Sequence, residues 1–528
     1  MTYFPSKALA LLLLAPAVAF AQSTPTTPTT PTDPTTPTAG SGVSFTNATL
    51  QSGFVSLQAF GGHGIQVADM DNDGLLDVYV THIFDPKEDR PDFLFRNLGG
   101  SPQRFQEIGV VAGVDDSGFF PLTLEDGTVE EFSEESHAAV FADFDNDGDL
   151  DLFNGHTWSG HHRLYRNNGG SRFVDISDSA GIDVRDLGPR GVAASDLDGN
   201  GFLDIIVTAW QDFIPNVYMN LGGMRFERRR LQGDASPTFA NQGLSVVDLT
   251  KDGRPDIFLT AFEYVEGAGN GPLAALANES PRFVEHTGFT GLEYEKTTSD
   301  FRGTNGYSFQ DADNDGDLDV LITGFHGAKF YRNNGEGRFN LVRRFEGAHY
   351  TAAFGDVDND GDLDLYLAGD ASLFLNDGTG AFSRQGGIGL TGVGTDARSA
   401  VFADMDNDGF VDLLVASKQG PNTFFRNNGG AGGWLGVSLT GPNGERGATG
   451  AEVTLLQGER IVGYRVVQST TGYCTQDAPR LHFGLGASSG TYDVKVRFRN
   501  GAEAMRMGVT AGQVVTIGGK PATTQPEP

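Results

Sequence analysis

Seven nine-residue stretches of the form Asp-x-Asp-x-Asp-Gly-x-x-Asp, with small variations, run through this chain at 69–77, 143–151, 196–204, 248–256, 311–319, 356–364 and 404–412. Carboxylates at that spacing suit one chemistry above others. In a tight loop the side chains at positions 1, 3 and 5 turn inward onto a hard cation, position 7 offers its backbone carbonyl, and a carboxylate at position 9 closes the shell. Glycine at position 6 permits the turn. The inward positions are Asp69, Asp71, Asp73; Asp143, Asp145, Asp147; Asp196, Asp198, Asn200; Asp248, Thr250, Asp252; Asp311, Asp313, Asp315; Asp356, Asp358, Asp360; and Asp404, Asp406, Asp408. The carbonyls belong to Leu75, Asp149, Phe202, Arg254, Asp317, Asp362 and Phe410, and the closing carboxylates to Asp77, Asp151, Asp204, Asp256, Asp319, Asp364 and Asp412.

Asp, Asn and Gly are also good turn formers, and a single copy would say no more than that. Seven copies in register, each with at least three Asp, point to calcium, about six or seven ions in all. The fourth site is the weakest, because Thr250 replaces a carboxylate and Lys251 adds a positive charge; Asn200 weakens the third less. An EF-hand would need glutamate at position 12 and a helix on each side. Position 12 is instead Val80, Asn154, Val207, Leu259, Ile322, Leu367 and Val415, within short strand-like runs, so each loop joins two strands.

The loops also explain the charge. Of the formal −32, 26 carboxylates sit at ligand positions, and seven dications would leave −18. A site of roughly 0.1 mM affinity in about 1 mM calcium stabilises by about 1.4 kcal/mol. That suits a chain whose one cysteine, Cys474, allows no intrachain disulfide. So acidic a chain is no partner for nucleic acid.

The elements that must hold these loops follow from their period. Loop starts are 45 to 74 residues apart, which suits four-stranded propeller blades. A second element recurs at Phe95-Arg96-Asn97, Tyr165-Arg166-Asn167, Tyr218-Met219-Asn220, Tyr331-Arg332-Asn333, Phe374-Leu375-Asn376 and Phe425-Arg426-Asn427, each followed by a Gly-containing hairpin turn. The seventh unit lacks its last strand, and Val43-Ser44-Phe45-Thr46-Asn47 supplies one, so the N-terminal strand is expected to close a ring of seven blades. Insertions at 114–135 and 287–303 account for the longest spacings.

The loops and their period resemble the FG-GAP (VCBS-type) repeats of integrin α-subunit propellers over about residues 43–430. The resemblance implies structural calcium on one face and ligand binding on the other. Residues 431–518 alternate as strands, as in Tyr492-Asp493-Val494-Lys495-Val496, and are expected to form a small β-sandwich. Gly472-Tyr473-Cys474-Thr475-Gln476 and Leu481-His482-Phe483-Gly484-Leu485-Gly486 resemble the ASPIC/UnbV domain, and the whole order resembles the cartilage acidic protein family. His482 and Cys474 read as packed residues of that domain, and His156, His161 and His162 as a polar loop beside Trp158.

Six residues before each loop stand His63, His137, Arg190, Gln242, Asn305, Tyr350 and Arg398, all polar or aromatic. If the intervening strands line the channel, these seven form a ligand-binding ring at the face opposite the cations. Ordinary strand-start polarity explains them equally well.

At the N-terminus, Lys7, an apolar run at 8–20 and Ala19-Phe20-Ala21 read as a signal peptide (1–21), and 22–42 as a Thr/Pro tether. The tail from 519 to 528 reads as unstructured, and no stretch is apolar for long enough to span a bilayer. His-Glu-x-x-His and phosphate-loop motifs are missing. The expectation is an all-β, exported, monomeric, non-catalytic recognition module for a protein or glycan at the cell surface. A carbohydrate-active or other hydrolytic enzyme and a structural scaffold stand as alternatives.

Overall fold

The computed structural model describes residues 42–55, 62–82, 90–123, 128–133, 136–156, 161–182, 190–208, 214–231, 241–261, 273–279, 283–285, 287–292 and 303–519. The expected signal segment (1–21), nearly all of the expected Thr/Pro tether and of the tail, and residues 293–302 of the second insertion lie outside them.

The run after each Asp loop is apolar on both faces. Asp77–Val80, Asp204–Val207 and Asp364–Leu367 are buried throughout. A strand with no polar face must be covered on both sides, and here the covers are neighbouring sheets. Besides one two-stranded hairpin, the described residues before the C-terminal domain form seven sheets whose four strands run antiparallel and share one order. The second is typical: Ser136–Ala142 ends in a loop, Asp151–His156 leaves it, and Arg163–Asn167 and Phe173–Asp175 follow outward.

In the seventh sheet the outer strand is Phe45–Asn47, with Phe45 opposite Asn427 and Asn47 opposite Phe425. The start of the chain therefore completes the last sheet. The fourth sheet contains a third strand, Leu273–Asn278, whose Asn-ending turn lacks the Gly that marks its six counterparts.

Apolar clusters lie between consecutive sheets. Phe141 and Leu152 of the second meet Tyr79 and Leu94 of the first, and Ile206 of the third meets Leu259 of the fourth. Met405 and Leu414 of the seventh pack with Phe54, Val67 and Phe95 at the other end of the series. Small side chains on the innermost strands, such as Ala138, Ala193 and Ala194, let the sheets converge.

The C-terminal domain has two sheets. One is ordered Leu481–Gly486, Gly433–Thr440, Gln513–Gly518, and the other Arg460–Val466, Glu452–Gln457, Thr491–Arg497, Glu503–Thr510. Leu435, Val453, Val494, Phe483 and Val515 fill the space between them. The first insertion carries a hairpin, Phe119–Thr123 with Val129–Ser133.

Candidate metal centres and the occupied channel

Each Asp loop is built by its own carboxylates. In six of the seven loops the position-1 carboxylate accepts the backbone N–H groups of positions 5 and 6, as Asp143 does from Asp147 (3.1 Å) and Gly148 (3.0 Å) and Asp356 from Asp360 (3.0 Å) and Gly361 (2.8 Å), while Asp69 accepts from Gly74 alone (3.1 Å). The turn needs left-handed backbone at positions 4 and 6. Position 4 is Asn in five copies, including Asn72 (φ 64°) and Asn407 (φ 57°), and position 6 is always Gly, from 86° at Gly253 to 108° at Gly361.

The position-9 carboxylate is held from two sides. Asp77 accepts from the N–H of Met70 (3.1 Å) and of Asn97 (2.8 Å). The same pair of bonds recurs at Asp151, Asp204, Asp256, Asp319, Asp364 and Asp412. The recurring asparagine of the hairpin turn is thus part of the site, a role its sequence motif alone did not declare. Asn278 does this for the fourth loop, where the motif is not recognisable.

Held this way, the carboxylates converge. Ligand oxygens of Asp69, Asp71 and Asp77 lie within 4.8 Å of one another, as do those of Asp143, Asp145, Asp151 and of Asp196, Asp198, Asp204. In the fifth loop Asp311, Asp313 and Asp315 come together in the same way. Buried oxygens on Asp69, Asp71, Asp145, Asp313 and Asp358 have no hydrogen-bond partner. Burial pushes the closing carboxyls up, to about 8 for Asp77, Asp151 and Asp319 and about 7 for Asp204. Crowded, desolvated, orphaned oxygens are what a hard dication satisfies, so the residues fit an oxygen-seeking ion. The fourth loop fits least. Lys251 reaches across to Asp317 of the next loop, and Arg254 ties Asp252 at 2.5 Å.

Arginine of the hairpin motif approaches position 3 from outside, Arg96 to Asp71 at 2.6 Å, Arg166 to Asp145 at 2.9 Å and Arg426 to Asp406 at 2.8 Å. A second set comes from the C-terminal domain. Arg446 bonds Asp69 (2.7 Å) and donates its backbone N–H to Asp143 (2.9 Å), while Arg499 bonds Asp196 (2.8 Å). Arg480 donates to the Gly74 carbonyl (2.7 Å), and His482 meets Asn359 of the sixth loop at 2.7 Å. The C-terminal domain therefore lies across the loop face.

From that face the segment 467–478 enters the space between the inner strands. Gln468 bonds the Phe309 carbonyl, Ser469 the Ala194 N–H, and Gln476 both backbone groups of Phe141 at 2.8 Å. Thr475–Gln476 adds a parallel fifth strand to the first sheet. Gly306 and Gly472 touch backbone to backbone: a Cβ on Gly306 would stand 2.5 Å from the Gly472 carbonyl carbon.

The tip of this segment reaches the residues expected to form the ring. The Tyr473 hydroxyl lies 2.9 Å from His63 Nε2 and 2.8 Å from His137 Nε2, and the Cys474 thiol is 3.1 Å from the Arg190 carbonyl. Gln242 donates to Asn305 (2.7 Å), which donates to the His349 carbonyl (2.8 Å). Arg398 stacks 3.6 Å above the Tyr350 ring, and Tyr350 faces Tyr473 at 5.8 Å. The seven positions do gather, but Tyr473 stands among them. His63, His137, Gln242 and Asn305 are buried, whereas Arg190, Tyr350 and Arg398 are only partly so. Cys474 packs in this channel rather than inside its own domain's core.

The histidines of the second sheet are not a polar surface loop. His156 and His162 are buried, and His156 Nε2 lies 3.1 Å from Asp116 of the first insertion. The insertion folds inward there: Asp116 also bonds Tyr165 and Asn154.

A family model described as an FG-GAP-like repeat matches residues 143–207, 311–367 and 356–415, and one described as ASPIC and UnbV matches 441–524. Cartilage acidic protein 1 of Xenopus tropicalis is 30% identical over 210 residues, 38% of this chain and 29% of that protein. The Mus musculus and Homo sapiens proteins of the same name are 28% identical over 172 residues, 31% of this chain and 25% and 24% of theirs. The chain thus spans less than a third of the length of these relatives. Among solved structures, a chain of an Agrocybe aegerita lectin that recognises non-reducing terminal N-acetylglucosamine aligns with TM-score 0.37 at 18% identity, over 56% of this chain and 81% of its own.

Proposed function

We propose that this chain of FG-GAP-like repeats and an ASPIC/UnbV domain is an exported, calcium-stapled propeller of seven blades that binds a protein or glycan ligand and turns nothing over. Calcium is the ion assigned to the Asp loops, because every donor is oxygen and the loops offer more than one carboxylate each. The ring reading rests on the same asparagine bond repeated between sheets, from Asn167 on Met70 (2.9 Å) through Asn427 on Val357 (2.8 Å) to Asn97 on Met405 (2.9 Å).

The observation that carries the binding reading is the placement of the C-terminal domain. With Arg446, Arg480 and Arg499 seated on the loops, the loop face is covered and the recognition surface falls to the opposite face. There Arg190, Tyr350 and Arg398 keep partial exposure around the mouth of the channel, and a stacked aromatic–guanidinium pair offers both an apolar platform and fixed donors. Val110 and Val111, 70% and 77% exposed on the turn after the outer strand of the first sheet, add apolar surface.

The test is a glycan array and a surface-protein pull-down with the full chain in calcium, alongside Tyr350→Ala and Arg398→Ala. Binding that these variants weaken at least about tenfold supports the assignment. Binding that both variants leave intact moves the site elsewhere, and turnover of a polysaccharide panel would restore the enzyme reading.

A further inference from the structure

Three soft or borderline donors meet at the end of the channel. One ligand atom from each of His63, His137 and Cys474 lies within 4.8 Å of the other two, and all three side chains are buried. Three ligands about 2.0–2.3 Å from one ion stand somewhat under 4 Å apart, so the triad needs to close by no more than about 1 Å.

Tyr473 orients the pair. A phenol oxygen carries two lone pairs, so its hydroxyl accepts from the Nε2–H of both rings. For His63 this leaves Nδ1 as the free donor nitrogen, and that atom is buried with no hydrogen-bond partner. A buried nitrogen without a hydrogen-bond partner is an uncommon feature that an ion removes. Both imidazoles are kept neutral: burial comes first, and the positive charges of Arg190, Arg398 and Lys418 add to it. Neutral imidazole is the ligating form.

We propose that His63, His137 and Cys474 form a buried site for one monovalent copper ion, with Tyr473 as the positioning residue. Sulfur and imidazole donors select cuprous copper, while the oxygen-only Asp loops do not compete for it. Charge favours the monovalent ion. Copper(I) with one thiolate is neutral beside two guanidiniums and an ammonium, whereas zinc(II) would leave a net positive charge there. On binding, the Cys474 S–H bond, now directed at the Arg190 carbonyl, breaks. Its proton leaves to buffer, a sulfur–copper bond forms, and no electron is transferred. The site uses the strand-start histidines for a role separate from ligand recognition at Tyr350 and Arg398.

The experiment takes the full, calcium-loaded chain under anaerobic conditions and supplies copper(I) with ascorbate against a chromophoric copper(I) chelator. One equivalent should be retained per chain, and copper-edge X-ray absorption should show one sulfur and two nitrogen neighbours. Cys474→Ser and His63→Gln should each weaken retention by about tenfold or more while keeping the calcium-dependent melting transition. Copper below a tenth of an equivalent, or equal retention by Cys474→Ser, overturns the site. Should a variant fail to fold, the absorption spectrum of the unaltered chain decides alone: no sulfur neighbour refutes the assignment. Stoichiometric zinc with no copper refutes the charge argument.

Discussion

Asn97→Ala tests whether the first and seventh sheets are joined in solution as any other pair is. Asn97 is fully buried, and its Nδ2 donates to the Leu76 carbonyl (3.0 Å) and, across the seam, to Met405 (2.9 Å), while its Oδ1 accepts from Gly99 N–H (2.8 Å). Asn167 makes the matching bonds within an ordinary junction, to Leu150 (3.1 Å), Met70 (2.9 Å) and Gly169 (3.0 Å). At about 1 kcal/mol per lost buried bond, Asn167→Ala costs about 3 kcal/mol. The seam differs in one respect: Gln103 also donates to Met405, at 2.5 Å, so that carbonyl keeps a partner. Asn97→Ala therefore costs nearer 2 kcal/mol, and Asn97→Ala with Gln103→Ala about 3 to 4 kcal/mol. Urea unfolding in saturating calcium, followed by far-ultraviolet circular dichroism, measures all three. A loss below about 0.5 kcal/mol for the double variant, beside about 3 for Asn167→Ala, would refute the joined seam.

Three further outcomes are expected. Calorimetric titration of metal-free protein should find six or seven calcium ions; Asp364→Ala should remove one ion and about 3 kcal/mol, about 1.4 from the ion and the rest from the two buried N–H bonds it accepts, and Asp252→Ala, whose carboxylate Arg254 already ties, much less. Tyr473→Phe keeps the ring but strips both imidazoles of their shared partner, for a loss of about 2 kcal/mol read in the same urea assay; an unchanged midpoint would mean the tip is not seated. Burial lifts the Asp477 carboxyl to about 7, above its ordinary 3.8. The folded state then holds a proton the unfolded chain has lost, so this group's contribution falls as pH rises from about 4 to about 7 and stays lost above. Asp477→Asn should raise the melting temperature at pH 8 and leave it nearly unchanged at pH 4.

The Asp loops were legible because their geometry is local. Asp143, Asp145 and Asp147 need only a tight turn with Gly148 to face one another, and spacing along the chain encodes that. The closing strand was legible too, since Phe45–Asn47 repeats the outer-strand pattern that the seventh unit lacks. The fourth hairpin, at Asn278, was not, because the sequence after it, Glu279-Ser280-Pro281, lacks Gly and only the backbone bond to Asp256 reveals it.

What the sequence by itself determined was the set of Asp loops, the all-β repeat and the change of pattern after residue 430, all of which are periodic or short-range. Tertiary structure alone decided what fills the channel and what covers the loops. Tyr473 meets His63 across 410 positions, and Arg446 meets Asp69 across 377. No spacing rule links such residues, because each pair is made by the docking of one folded domain on another. Desolvation then turns strand-start polarity into a buried cluster, and an isolated cysteine into the third donor beside two histidines.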